Sequence, residues 1–370
     1  MVDLHSQYLR IKPEVDQAIQ SVLNSTAFIQ GPQVREFEQS FSSFHKGTHV
    51  ISCANGTDAL QIAMMALGFR PGDEVILPVF TYVATAEVMA LLGLKPVFVD
   101  VEEKTFNIDV QHVENKITPK TVAIVPVHLF GQCAPMEQLL AIAKKHNLYL
   151  IEDFAQAINS EYIFGNGTSD QAGTMGSIGC TSFFPSKNLG CYGDGGAILT
   201  KDKVLADTIR MIANHGQRIK YHHDVIGVNS RLDTLQAAIL NVKLNHLNAY
   251  ETKRKAVADF YDRALAGTSF LDIPFRAPYS THVFHQYTLT LKAIDRDHFK
   301  KYLEFNAIPS MVYYPLPLHF QKAFAIPGFG AGSFPVSEEL AKKVISLPIH
   351  TEMSDEQLSY ICEIIRKYPR

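Results

Sequence analysis

From about residue 48 the chain repeats one unit, a short and nearly uninterrupted apolar run followed by a helix-length amphipathic stretch. The runs lie at 49–52, 74–77, 96–100, 123–127, 148–152, 180–184 and 197–200, with helical spacing between them at 57–67, 81–92 and 136–146. Strands joined through helices must cross over, and crossover units build a mostly parallel sheet. A strand that is apolar throughout, such as AIVPV, needs cover on both faces. The spacing therefore predicts an α/β domain around a mostly parallel seven-stranded sheet.

The pattern changes near residue 230. Residues 230–247 and 252–266 read as two long helices joined around 248–251. After them HQYTLTLK (285–292) alternates polar and apolar residues, as a half-exposed antiparallel strand does. Residues 295–305 and 354–367 read as helices, the second with Ser354 as N-cap and acidic residues in its first turn. We expect a large domain over 1–247, with an N-terminal helical segment, and a smaller α+β domain over 248–370. A chain of 370 residues, 46% of them hydrophobic, has ample material for two such cores. The Gly-rich stretch 165–179 reads as a loop.

The net charge is only −3, with Lys and Arg scattered along the chain. That excludes the basic face a nucleic acid requires. The start, MVDLHSQYLRIKPEVDQAI, is charged from its third residue and has no signal-peptide core. No stretch approaches the roughly 20 apolar residues of a membrane span. The cysteines Cys53, Cys133, Cys180, Cys191 and Cys362 are odd in number and lack CxxC spacing. They fit reduced thiols in a cytoplasm better than a disulfide or metal framework. A cytoplasmic chain without metal, membrane or nucleic-acid partner is expected.

Three segments share one chemical logic. In SCANGTDAL, Gly56 and Thr57 open a helix directly after a strand, where free amides make an anion site and Gly allows close approach. Many plain strand–turn–helix junctions look the same. In YLIEDFAQA, Asp153 ends an apolar strand, the edge where open α/β sheets place ligands. It could pair with a cationic ring nitrogen, cap a helix or ligate a metal. In CTSFFPSKNLGCYGDGGAIL, Lys187 stands alone in a turn between a strand and a Gly-rich segment, with Ser182 five residues before it. A lysine near a phosphate and a cationic ring has its amine pKa lowered and adds to carbonyls. A solvated loop lysine has the same local sequence.

Taken with VDLHSQY, FIQGPQVREFE, PVFTYVATAE, HLFGQC, NHGQ, GVNSRLDTLQAAIL, YPLPLH and FPVSEELAKKVISLPIH, these segments resemble the DegT/StrS family of nucleotide-sugar aminotransferases. The likeness covers nearly the whole chain and implies an aspartate-aminotransferase fold that uses pyridoxal 5'-phosphate. It casts Lys187 as the Schiff-base lysine and proton shuttle, and Asp153 as the partner of the pyridine nitrogen. Gln156 would bond the ring's phenolate oxygen, Gly56, Thr57 and Ser182 the phosphate, and Tyr82 would stack on the ring. Asn229 would reach the phosphate in a partner subunit, so the active unit would be a homodimer with shared sites.

The resemblance also implies a cycle in which glutamate donates the amino group and a nucleotide-linked keto-sugar receives it. The wording is most similar to enzymes aminating C3 of UDP-2-acetamido-2-deoxy-3-oxo-glucuronate for O-antigen synthesis. Enzymes acting on dTDP-linked 3-oxo or 4-oxo hexoses share much of it. Tyr221, Arg231, Tyr313 and His319 are the candidate sugar contacts. The chain departs from the common pattern at Phe154, where a small residue is usual, at Ile158–Asn159 in place of His-Gly, and at Tyr313 in place of His. A family branch with histidine in place of the lysine dehydrates its sugar; Lys187 implies transamination. A regulator on the same fold would have lost Asp153, Gln156 or Lys187.

Overall fold

The computed structural model describes residues 1–324 and 329–369. All seven apolar runs form strands, each within three residues of its expected place. In chain order these are β1 (His49–Cys53), β2 (Glu74–Pro78), β3 (Lys95–Val99), β4 (Thr121–Ile124) and β5 (Tyr149–Asp153). A side hairpin of β6 (Glu161–Ile163) and β7 (Ser169–Gln171) follows, then β8 (Ile178–Ser182) and β9 (Gly196–Thr200). The sheet order is β1-β9-β8-β5-β4-β2-β3. From β8 to β3 every neighbour is parallel, and β9 runs antiparallel to both β8 and β1.

Two apolar layers cover the sheet, as its all-apolar strands require. On one face Phe37 and Phe41 of α2 (Pro32–Phe44), Leu139 of α6 (Met136–His146) and Leu240 of α8 (Thr234–Leu265) bury against Ile76 and Ile124. On the other, α3 (Gly56–Ala66), α4 (Ala84–Leu91) and α7 (Lys203–Ala213) pack on Val75 and Leu77. The remaining helices before α8 are α1 (Leu4–Ser25), laid along α8, and the short α5 (Val110–Glu114). A small hairpin, β10 (Gln217–Ile219) with β11 (His222–His223), precedes α8. Beyond α8, β12 (Leu271–Asp272), β13 (Tyr287–Leu291) and β14 (Val344–Leu347) form an antiparallel sheet. With α9 (Arg296–Phe305), α10 (Pro335–Lys343) and α11 (Asp355–Arg366) they complete the fold. Ser354 caps α11 in a full capping box.

Three expectations are corrected. The stretch expected as two helices forms one continuous helix, α8 (Thr234–Leu265), of 32 residues. Leu247, Tyr250 and Arg254 are buried at helical spacing, and 248–251 holds no Gly or Pro to stop the helix. Its first half packs into the sheet core through Leu244 and Leu247, its second into the C-terminal core through Val257, Tyr261 and Leu265. The stretch 165–179 is not all loop: it holds β7 and the first residues of β8. Gly167, at φ +83°, makes the turn of that hairpin. The helix expected from 81 begins at Ala84, so Tyr82 lies in the loop before it.

The unusual residues after Asp153 are matched by their surroundings. Phe154 is fully buried, and its ring occupies the space where a Cβ on Gly173 would sit, 2.4 Å from the ring. Asn159 adopts φ +70°, the left-handed region that Gly and Asn tolerate best, and its amide bonds to Asn248 at 3.1 Å and to Glu251 on α8.

Candidate active site

The site lies where open α/β sheets place theirs, outside the carboxyl ends of the parallel strands. A cavity of about 590 Å³ there is lined by Gly56, Thr57, Tyr82, Asp153, Gln156, Ser182, Lys187 and Tyr313. That volume suits a cofactor with a substrate group beside it.

At one end the β1–α3 junction meets the end of β8. Asn55 caps α3 by accepting from the Asp58 amide at 2.8 Å. The amides of Gly56 and Thr57 have no backbone partner among the described residues. A Cβ on Gly56 would lie 2.6 Å from the Cβ of Ser182, so only glycine lets the two strand ends approach this closely. These amides, the helix start and the Ser182 hydroxyl form a small anion cradle.

Asp153, at the end of β5, forms the polar floor. It accepts from the Thr85 hydroxyl at 2.9 Å and from the Ala155 amide at 3.2 Å. Burial raises its pKa, and these bonds, with the charge of Lys187, only partly oppose that. Among the described residues it makes no ion pair. Lys187 lines the same cavity, half-buried, in a turn closed by its own amide on Phe184 O at 2.8 Å. Loss of water around its amine lowers its pKa to about 8, and the Asp153 carboxylate limits the fall.

Gln156 accepts from the Phe130 amide at 2.9 Å and donates to the Tyr314 hydroxyl at 3.1 Å. Tyr82 is 58% exposed, with its ring centroid 6.4 Å from that of Tyr314. Tyr313 lies beside them on the cavity wall.

Four candidates lie elsewhere in the chain. Asn229 is exposed beyond the β10–β11 hairpin, and Tyr221 projects from that hairpin, 78% exposed. Arg231 lines a separate groove of about 630 Å³ bounded by α2, β1 and α7, which holds none of the cavity residues above. His319 is packed away, 4% exposed, with Nε2 3.2 Å from Glu338 and its ring on Phe334.

Sequence reasoning missed several supports. Thr85 bonds Asp153 from three residues beyond Tyr82. Glu152 points to the opposite side of β5 and is fully buried. It accepts from His128 Nε2 at 2.8 Å and from the amides of Gly173, Met175 and Gly176 at 2.8, 2.7 and 2.6 Å. Because His128 Nδ1 accepts from the Ala134 amide at 3.0 Å, its Nε2 carries the proton that Glu152 receives. A strand ending in two acids is the only sequence signal for this.

A buried carboxylate that forms no ion pair among the described residues, a desolvated amine in the same cavity and an anion cradle fit pyridoxal phosphate, with its cationic ring nitrogen, carbonyl and phosphate. A parallel α/β sheet bearing these groups on neighbouring strand ends defines a pyridoxal-phosphate-dependent aminotransferase. The sequence pattern of the DegT/DnrJ/EryC1/StrS aminotransferase family matches residues 9–366, and the chain belongs to that family. It is 46% identical over 365 residues to the UDP-2-acetamido-2-deoxy-3-oxo-D-glucuronate aminotransferase of Pseudomonas aeruginosa, covering 98% of each chain. It is also 46% identical over 372 residues to the pleiotropic regulatory protein of Geobacillus stearothermophilus, covering 100% of this chain and 98% of that one. Among solved structures, S. venezuelae DesV in complex with a ketimine intermediate superposes with a TM-score of 0.94 at 38% identity, over 99% and 97% of the two chains. NtdA of Bacillus subtilis with bound cofactor PMP gives a TM-score of 0.86 at 31% identity, over 95% and 80%. The protein is a sugar-nucleotide aminotransferase.

Proposed function

We propose that this enzyme aminates the 3-oxo group of a UDP-linked 2-acetamido-2-deoxy-hexuluronate, with glutamate as amino donor, for a surface-polysaccharide sugar such as that of O-antigen. The observation that carries the reaction class is the presence of Asp153 and Lys187 in the lining of one cavity, close enough for their charges to interact. Whole-length identity to the Pseudomonas aeruginosa enzyme supports the sugar.

The chain's own groups divide the work. The amides of Gly56 and Thr57 and the hydroxyl of Ser182 would bind the phosphate. Asp153, oriented by Thr85 and Ala155, would hold a proton on the ring nitrogen. Gln156, fixed by Phe130 and Tyr314, would present its amide to the ring's phenolate oxygen, and Tyr82 would cover the ring face. Bound there, pyridoxal phosphate supplies the carbonyl carbon that takes up the amino group and a ring that accepts electrons. Lys187, with a pKa near 8, can give up and regain a proton at Nζ at neutral pH. Tyr313 would meet the sugar.

Asn229, Tyr221 and Arg231 face outward on the single chain, which supports a homodimer in which they reach the partner's cavity. Arg231 would there suit a carboxylate or a diphosphate. No helix among the described residues is long and apolar enough to cross a membrane. The free, buried cysteines support a cytoplasmic location. The test is a panel of UDP- and dTDP-linked keto-sugars. Turnover of the UDP-linked 3-oxo uronate above all others is expected; dTDP-hexoses alone reacting would replace the sugar assignment. A well-folded sample that stays colourless with pyridoxal phosphate would point to a regulatory protein instead.

A further inference from the structure

Helix α8 carries two cations in the protein interior, Lys243 at 1% exposure and Arg254 at 5%. Among the described residues neither forms an ion pair with a carboxylate. Burying a charge without a counter-ion is costly, and an apolar residue of similar size would usually stabilise a core more. The apolar packing of α8 comes from Leu240, Leu244 and Leu247 on one half and Val257, Ala258 and Tyr261 on the other, so the charges of the two cations are not what seats the helix.

What each cation touches is specific. Lys243 Nζ donates to the carbonyl of Gly190 and sits 5.2 Å from the ring centroid of Tyr192. Gly190 closes the Lys187 turn: a Cβ there would lie 2.4 Å from Pro185 O and 2.8 Å from Phe184 O. Arg254 donates to Phe284 O at 3.0 Å and to His285 O at 3.5 Å. His285 and Gln286 line the same cavity as Lys187. One rigid helix thus grips the backbone behind two walls of the cavity, each through carbonyls and each with one unpaired cation.

We propose that Lys243 and Arg254 are positioning residues, Lys243 setting the Lys187 turn and Arg254 setting the His285–Gln286 wall. This rests on Lys187 being the reactive amine. A carbonyl held by a cation is held more firmly than one held by a neutral donor, so the reactive amine stays aimed while its own charge comes and goes.

The test is hydrogen–deuterium exchange on the cofactor-free protein, which does not depend on Lys187 chemistry. Lys243→Met should speed exchange over 183–191 by about tenfold or more while leaving 283–287 protected, and Arg254→Met should do the reverse. With cofactor added, Lys243→Met should weaken its binding about tenfold and shift the pH at which its visible absorbance changes. Lys243→Arg, which keeps the cation, should restore both. Should a methionine variant fail to fold, Lys243→Gln and Arg254→Gln are read in the same way. Exchange unchanged in both segments, or raised equally throughout the chain, overturns the proposal. Loss of the segment-specific pattern defeats the positioning idea alone, whereas turnover by Lys187→Ala defeats the reading beneath it.

Discussion

Thr85 donates its hydroxyl to Asp153 across 2.9 Å, joining the first turn of α4 to the end of β5. Burial raises the pKa of Asp153, and the Thr85 hydroxyl is the strongest influence opposing it. Thr85→Val removes that donor and keeps the shape. Asp153 should then protonate more readily, and cofactor affinity should fall about tenfold, which corresponds to roughly 1.4 kcal/mol for one bond to a charged group. Absorbance titration with pyridoxal phosphate measures it. The sign is fixed by the carboxylate: the deficit should grow as pH falls and shrink as it rises. A pH-independent deficit would count against this role for Thr85.

Gly56 is expected to tolerate no side chain. An alanine Cβ would stand 2.6 Å from Ser182 Cβ and 3.2 Å from its Cα, so the start of α3 or the end of β8 must shift. Overpacking of this kind costs about 1–3 kcal/mol. Gly56→Ala should lower the thermal midpoint and weaken phosphate-dependent cofactor binding more than binding of phosphate-free pyridoxal.

Lys187 should cost the cofactor-free protein stability. Its folded pKa is about 8 against the ordinary 10.5, so below pH 8 folding must bury a charge that the unfolded chain exposes to water. Replacement by Met should therefore stabilise the apoprotein at neutral pH by up to about 3 kcal/mol, at 1.36 kcal/mol per pKa unit. Between pH 8 and 10.5 the unfolded chain binds more protons, so wild type gains stability and the difference closes. Parallel denaturant curves for the two proteins across that range check the sign and the window.

The proposed shared sites make an arithmetic prediction. Lys187→Ala and Asn229→Ala homodimers should each be inactive or nearly so. Mixed and allowed to exchange, half of the dimers become hybrids in which one of two sites holds both native residues. About a quarter of wild-type activity should return, as closed two-fold assembly requires. No recovery after proven exchange would place both residues in one subunit's site, and a fully active Asn229→Ala homodimer would place Asn229 in none.

The sheet was legible because its strands are apolar on both faces, and a run such as Val75–Leu77 has few other destinations than a covered sheet. The continuity of α8 was not. Asn248 and Glu251 look like a break, and only the burial of Tyr250 and Arg254 shows that the stripe runs on. The hairpin at β6–β7 carried its signal in Asn166–Gly167, hidden inside a Gly-rich stretch. At the site, Lys187, Asp153 and Ser182 stand in single segments that leave several readings open, and the family resemblance chooses among them. Thr85, Tyr314 and the α8 cations act across segments distant in sequence, so no local pattern marks them, and Glu152 is marked only as the second acid at a strand end. Tyr221, Asn229 and Arg231 lie outside the cavity of their own chain, a placement that follows from the fold rather than from any motif.

Phe154 and Gly173 also constrain how this chain can change. With Phe154 present, position 173 admits no side-chain carbon. Reverting 154 alone to a small residue would empty a phenyl-sized space next to Asp153, and enlarging 173 alone would drive the ring toward it. Position 173 also sits at φ +84°, where any side chain is strained, so a smaller residue at 154 would not free it to change. Glycine at 173 is therefore what admits Phe154, and changes at 154 are expected to leave Gly173 in place.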